Sequence, residues 1–268
     1  MIGALVADEV RKIVMPLADD TTPAGDIHYD LTHPRRFDIN NKAQKFDFAP
    51  CNCLMVGAGA LGTYAGLALT VSKSIRKLTI VDPDIVEETN LNRQILFYDD
   101  AVGKPKAPEL AAKLAMLSTD VDIDSIVSHV TMEHVRGVDM ILSCVDNFEA
   151  RAYLNHLVGQ FDIPLISGGS SAFGGDLAVY CPGKTSCLDC YYGVNELAQN
   201  ELNTRASCAD VPEASIVTTN QLIGTLMVGE TRQVFHKPLV GVIEYDTFHA
   251  DRLGIRSMRS PCQCHLKL

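Results

Sequence analysis

Apolar residues in this chain gather in short, nearly unbroken runs: CLMV from Cys53, LTIV from Leu78, MILSCV from Met140 and IPLIS from Ile163. Runs so brief and continuous predict strands buried on both faces, as in a parallel sheet. Between them apolar positions recur at helical spacing. The pattern predicts helices over residues 63–74, 107–118 and 148–161, with Leu110, Leu114 and Leu117 on one face of the second. Strand and helix in alternation imply right-handed crossovers. Every strand's carboxyl end then falls on one edge of the sheet, where ligands bind.

After Ser167 the pattern changes. Gly168-Gly169-Ser170-Ser171 and Gly174-Gly175 flank a predicted hairpin that ends in DLAVYC. An irregular segment is expected over residues 182–212, then a helix over residues 216–235 with Leu222, Leu226 and Met227 as core. Strands in GVIEYDT and LGIRSMR follow. Ahead of residue 51 the turn formers Pro16, Pro23, Gly25, Pro34 and Pro50 predict a loose arm with one short helix over residues 7–15. The expected fold is α/β: a Rossmann-like doubly wound parallel sheet (51–167) extended by an antiparallel half (168–268), behind an amino-terminal arm (1–50).

Composition narrows the function classes. At 268 residues and 47% hydrophobic, the chain can bury a full core. No segment reaches the roughly 18 to 20 uninterrupted apolar residues of a membrane span, so no membrane association is expected. The opening MIGALVADEVRKIV carries acids and lacks a long apolar core, unlike a secretory signal, and a cytoplasmic protein is expected. A net charge of −10 disfavours a nucleic-acid binder, which would show a basic field, and no DNA partner is expected. Nine cysteines, an odd number, argue against a disulfide scaffold. Cys51, Cys53, Cys144 and Cys181 lie in apolar runs and read as buried small hydrophobes.

Chemistry concentrates between Val56 and Gln94. A glycine turn, Gly57-Ala58-Gly59-Ala60-Leu61-Gly62, joins a strand to a helix, so backbone amides can approach a phosphate. Asp82 closes the next strand about 20 residues past Gly62, in position for ribose hydroxyls. Arg93, Lys106 and Asp146 all fall just past strand ends or at helix starts. Two cations and a carboxylate suit a triphosphate with Mg²⁺ better than a hydride carrier. Taken singly, Lys106 also reads as a solvated first-turn lysine and Asp146 as a helix cap.

In GAGALG, VDPDIVEETNLNRQ, VGKPKA and SCVDN the chain resembles the ThiF/MoeB/HesA family, whose adenylating fold is shared with ubiquitin-activating enzymes. The resemblance runs from about Arg35 onward. It implies ATP-dependent adenylation of the carboxyl-terminal glycine of a ubiquitin-like β-grasp partner ending in Gly-Gly. It also implies that Asp82 binds ribose, that Asn90, Arg93, Gln94 and Lys106 handle phosphates, and that Asp146 holds Mg²⁺. Family members are dimers that exchange an amino-terminal arginine. Arg36, or its neighbour Arg35, stands at about the right distance, although the surrounding sequence departs from the family pattern and a plain surface pair fits equally.

Cys187-Leu188-Asp189-Cys190 is half of a tetrahedral zinc site. The family's second CxxC is replaced by Cys262-Gln263-Cys264-His265, so the fourth ligand is Cys264 or His265; thiolate chemistry favours four cysteines. Cys208 stands where relatives carry an acyl-accepting thiol, and adenylation itself does not require it. Two other readings stay open: a related enzyme that adenylates a peptide or tRNA, and a nicotinamide enzyme or silent nucleotide-binding scaffold. No rhodanese-like domain follows, so any sulfur donor is expected to be a separate protein.

Overall fold

A computed structural model describes residues 51–72, 74–118, 120–205, 215–249 and 253–256, together with Cys262 and Cys264. Five parallel strands form its centre: β1 (Cys51–Val56), β2 (Ile75–Val81), β3 (Asp122–Ile126), β4 (Met140–Ser143) and β5 (Leu165–Ser170). Three antiparallel strands continue the same sheet: β6 (Gly174–Tyr180), β7 (Val242–Asp246) and β8 (Leu253–Arg256). The strand order β3-β2-β1-β4-β5-β6-β7-β8 reverses direction between β1 and β4. That switch opens a crevice above their carboxyl ends, where Val56 and Ser143 are register partners.

Successive strand residues point to opposite faces, and each face has its own core. On one, Met55, Ile80, Leu142 and Ile166 meet Leu61 and Leu69 of α1 (Ala60–Ser72) and Leu110 and Leu114 of α2 (Lys106–Ala115). Leu222, Leu226 and Met227 of α6 (Val217–Thr231) complete that core, as their spacing predicts. On the other, Leu54, Val81, Ile141 and Leu165 meet Leu154, Leu157 and Val158 of α3 (Phe148–Phe161) and Leu188 of α4 (Leu188–Tyr192).

The structure departs from the sequence pattern at several points. The predicted irregular segment holds two helices, α4 and α5 (Val194–Arg205). Their apolar residues are sparse, and Gly193 in the left-handed conformation breaks the periodicity between them. β3 escaped detection because DIDSI alternates acids with apolar residues. It is an edge strand whose Asp122 and Asp124 pair with Lys77 at 3.6 and 2.5 Å, charge that discourages edge-to-edge pairing. α2 ends at Ala115, so Leu117 lies beyond its apolar face and is 49% exposed. The run MILSCV stops being strand at Ser143. The amino-terminal arm and its helix over residues 7–15 lie outside the described residues.

α1 and α6 cross closely because Gly224 has no side chain. A Cβ there would stand 3.1 Å from the Ala65 amide nitrogen and from Tyr64 Cβ, and 3.2 Å from the Leu61 carbonyl oxygen. Backbone cannot yield as a side-chain tip can, so Gly224→Val is expected to destabilise the fold by about 1–3 kcal/mol. Urea unfolding should show a lowered midpoint with unchanged slope; an unaltered midpoint would contradict this packing.

Candidate functional site

The site begins where β1 turns into α1. Gly57 has φ +101°, and a Cβ on it would lie 2.6 Å from the Cys144 carbonyl oxygen, so conformation and space both require glycine. A Cβ on Gly62 would collide with the Gly57 carbonyl oxygen. Gly59 is less confined: its Cβ would only touch Gln94 Nε2 at 3.8 Å. The Thr63 amide is bonded to the Gly59 carbonyl at 2.9 Å, leaving the amides of Ala60, Leu61 and Gly62 ahead of the first intrahelical bond. The first turn of α1 contains no acid. The helix dipole there is unopposed and favours an anion.

Asp82 locks this turn to the end of β2. Its Oδ2 accepts the Ala58 amide at 2.6 Å and its Oδ1 the Asp84 amide at 2.8 Å. The residue is buried. Burial pushes its carboxyl up from the usual range, while the two amides and Lys106 pull the other way. A carboxylate offers about four lone-pair sites, so two amide bonds leave room for hydroxyl donors.

Lys106 reaches the same place through a small antiparallel pairing. Val86 donates to the Lys104 carbonyl at 2.8 Å, Gly103 to Val86 at 2.9 Å and Lys106 to Asp84 at 2.8 Å. This sets the buried Lys106 Nζ 2.9 Å from Asp84 Oδ2. One ammonium proton is engaged there and the group has three.

The Asn90–Gln94 segment folds into consecutive tight turns. Asn90 Oδ1 accepts the Glu87 amide at 2.9 Å, and the Asn90 carbonyl accepts the Gln94 amide at 2.9 Å. Asn90 and Gln94 are turned inward, and Gln94 Oε1 is a buried acceptor with no donor among the described residues. Buried polar atoms rarely stay unpaired, and a ligand hydroxyl or amino group would satisfy this one. Arg93 is half-buried, its Nη1 donating to the Thr89 carbonyl at 3.0 Å and to Asn92 Oδ1 at 2.9 Å.

Across the crevice, Asp146 follows β4 and is exposed. It does not cap the next helix. That role falls to Asn147, whose Oδ1 accepts the Ala150 amide at 2.8 Å. Among the described residues the Asp146 carboxylate accepts only a long bond from Asn147 Nδ2, at 3.4 Å, and stays open to a cation. A glycine cradle, an unpaired Gln94 oxygen, a half-satisfied Asp82 and an open Asp146 together fit a nucleotide with a divalent ion.

A second cluster lies on the antiparallel half. The sulfurs of Cys187, Cys190, Cys262 and Cys264 lie within 4.8 Å of one another, with Cys190 and Cys264 at 3.5 Å. The Cys187 amide donates to Cys262 Sγ at 3.1 Å. Burial raises the Cys187 thiol to about 11, whereas Cys262 is lowered, the amides of Cys264 and Cys187 outweighing its burial. Arg36, Arg35, Cys208 and His265 lie outside the described residues.

A family model described as the ThiF family matches residues 1–265. The chain belongs to the ThiF family. Among its relatives is the "Sulfur carrier protein ThiS adenylyltransferase" of Bacillus subtilis, 36% identical over 143 residues, which are 51% of this chain and 42% of that protein. The Escherichia coli protein of the same name is 30% identical over 175 residues, 63% of this chain and 68% of its own length. The "SAMP-activating enzyme E1" of Haloferax volcanii is 34% identical over 143 residues, 52% of each chain. The chain thus spans less than half the length of the Bacillus relative and about two thirds of the E. coli one. Its fold matches the crystal structure of E. coli MccB with ATP, with TM-score 0.66 at 20% identity over 80% of this chain and 66% of that one. A second MccB structure, with MccA-N7isoASN, gives TM-score 0.67 at 21% identity over 80% and 66%. The ThiF-family sheet, with its antiparallel extension, is therefore common to this chain and to MccB.

Within this ThiF-family site, sequence reading passed over Asp84, Arg151 and Glu201. Asp84 stands inside the VDPD motif, where its partnership with Lys106 needs the loop pairing to become visible. Arg151 follows Asp146 by little more than a helical turn, the one signal that could have drawn attention to it. Glu201 accepts the Phe148 amide at 2.8 Å from a helix the sequence pattern did not predict.

The ThiF-family chain also separates its thiols by environment. Burial pushes Cys51 up to about 11 and Cys144 and Cys181 to about 12, and raises Cys53 well above its ordinary value. At pH 8 a thiol of pKa about 11 is roughly one part in a thousand thiolate, and thiolate is the reactive form. Brief iodoacetamide treatment of the native protein at pH 8 is expected to leave these four unlabelled until denaturant is added. Mass-spectrometric detection of a native adduct on any of them would contradict the assignment.

Proposed function

We propose that this chain binds Mg-ATP in the crevice between β1 and β4 and adenylates the carboxyl-terminal glycine of a ubiquitin-like, β-grasp sulfur-carrier protein ending in Gly-Gly. The observation that carries the reading is the ring of buried Asp82, Lys106 and Gln94 around an acid-free helix start, in a ThiF-family chain whose relatives are named for carrier adenylation. The glycine turn of Gly57, Gly59 and Gly62 would cradle the phosphates and Asp82 the ribose. Lys106 Nζ, the Arg93 guanidinium and the side-chain amide nitrogens of Asn90 and Gln94 would donate to the remaining phosphate oxygens. Mg²⁺ on Asp146 would supply charge neutralisation at the leaving phosphates.

The partner's carboxylate forms a bond to the α-phosphorus as the bond to the bridging oxygen breaks, and pyrophosphate leaves with that electron pair. The nucleophile is already ionised, so no general base is needed. Orientation and fixed positive charge supply the acceleration. Cys208, three residues past the end of α5 in sequence, would then attack the acyl carbon as thiolate, releasing AMP and leaving a thioester. A second copy of the chain would complete the site with Arg36. Eight free cysteines among the described residues support a reducing, cytoplasmic setting.

The division into an arm (1–50), a nucleotide-binding half (51–167) and an antiparallel half (168–268) belongs to the same proposal. It is supported by the change of strand sense at β5–β6. Zinc in the four-cysteine cluster would clamp the chain beyond β8 onto α4. Tetrahedral thiolates at about 2.3 Å from zinc put sulfurs roughly 3.8 Å apart, and the cluster approaches that spacing.

ATP–pyrophosphate exchange tests the activity. Exchange is expected only with a β-grasp protein ending in Gly-Gly; Lys106→Ala should cut it about 10²–10³-fold, as loss of an electrostatic stabiliser does. Cys208→Ala should retain exchange while losing the thioester seen on non-reducing gels. Exchange with a short peptide alone would point instead to a peptide-adenylating enzyme. For the metal, the purified chain is expected to carry one zinc. Cys190→Ser should weaken zinc binding more than the about 10- to 100-fold typical of outer-shell changes. Full folded stability in excess chelator would rule out a structural ion.

A further inference from the structure

Asp146 is exposed, and among the described residues its carboxylate is held only by a 3.4 Å contact from Asn147, yet the proposed chemistry needs it at one place. Its backbone, by contrast, is fixed. The guanidinium of Arg151, one turn into α3, holds it. Its Nη2 donates to the Val145 carbonyl at 2.9 Å, the peptide oxygen that joins directly to Asp146. The same nitrogen donates to the Gly168 carbonyl at 2.7 Å, and Nη1 donates to Ser167 Oγ at 3.0 Å. Arg151 therefore bolts the end of β4 to β5 across the gap on which Asp146 stands. A planar fork reaching two strands at once is a task for arginine; lysine presents a single point of charge.

The surroundings are cut to admit it. A Cβ on Gly169 would lie 3.2 Å from Arg151 Nη2 and 3.7 and 3.8 Å from the two oxygens of Asp176, so the guanidinium and a carboxylate flank the space a side chain would take. Gly169 is not in the left-handed region, so its backbone conformation does not require glycine. Burial raises the Asp176 carboxyl against the opposing effect of the Tyr192 hydroxyl, which donates to it at 2.8 Å, and of Arg151.

We propose that Arg151 is a positioning residue that sets Asp146 for its divalent cation by bolting the Val145–Asp146 peptide to β5, with Gly169 keeping the space open. This rests on the reading of Asp146 as the magnesium ligand. The test is calorimetric titration of Mg²⁺ into the full chain with a non-hydrolysable ATP analogue, beside analogue binding without metal. Arg151→Lys is expected to raise the half-saturating Mg²⁺ about 10- to 100-fold, the range for partners that orient a metal ligand. Metal-free binding should be unchanged, because the glycine turn and Asp82 are untouched. Gly169→Ala, which removes no donor, should shift Mg²⁺ dependence in the same direction and carries the test if Arg151→Lys fails to fold. Wild-type Mg²⁺ dependence in a folded variant of either kind would overturn the proposal, as would an equal loss of metal-free binding. Asp146→Asn separates the two readings. If it leaves Mg²⁺ dependence unaltered, the metal assignment itself fails; if it shifts while Arg151→Lys and Gly169→Ala do not, only the positioning role fails.

Discussion

The ligand edge depends on one hydrogen bond, from the Ala58 amide to the Asp82 carboxylate at 2.6 Å. It joins the turn after β1 to the end of β2 with a charge-assisted contact, and it does so where burial disfavours charge. The second oxygen of Asp82 holds the Asp84 amide, and Asp84 in turn holds Lys106. The glycine turn, the acid at the strand end and the lysine that opens α2 are thus one connected assembly. Remove the carboxylate and the buried Ala58 amide loses its acceptor, which costs more than the bond itself contributes.

Opposite that assembly, the end of β4 is built on different terms. Cys144 presents its carbonyl to Gly57, Asn147 caps α3 and Glu201 reaches the Phe148 amide from α5. Asp146 stands exposed among these fixed neighbours. One wall of the crevice is buried and preset; the other presents an open carboxylate on a braced backbone. Such a division suits a ligand gripped along one side by preset groups and met on the other by a hydrated ion.

How much of this could be read in advance depended on the range of each interaction. Buried strands, Gly57, Asp82 and the first turn of α1 follow from local pattern and were legible, as were the buried cysteines 51, 53, 144 and 181. β3 was missed because an edge strand with alternating acids carries little apolar signal. α4 and α5 were missed because they are stabilised by packing on α3 and on the cysteine cluster instead of by their own periodicity. The capping at Asn147 could not be separated from Asp146 by composition, since both residue types favour that position. The role of Arg151 depends on which strand lies beside β4, a fact of topology that no window of sequence contains.

The strand order has a kinetic consequence. Ala58 meets Asp82, and Gly57 meets Cys144, only when β1 has gained β2 on one side and β4 on the other. These are non-local pairings of parallel strands, which require long loops to close before any contact rewards them. The crevice should therefore be among the last parts of the molecule to appear during folding. A ligand that binds it adds its free energy wholly to the finished native state and none to the partly folded intermediates. For a chain of this topology, a ligand taken into the crevice would act as a late latch on folding.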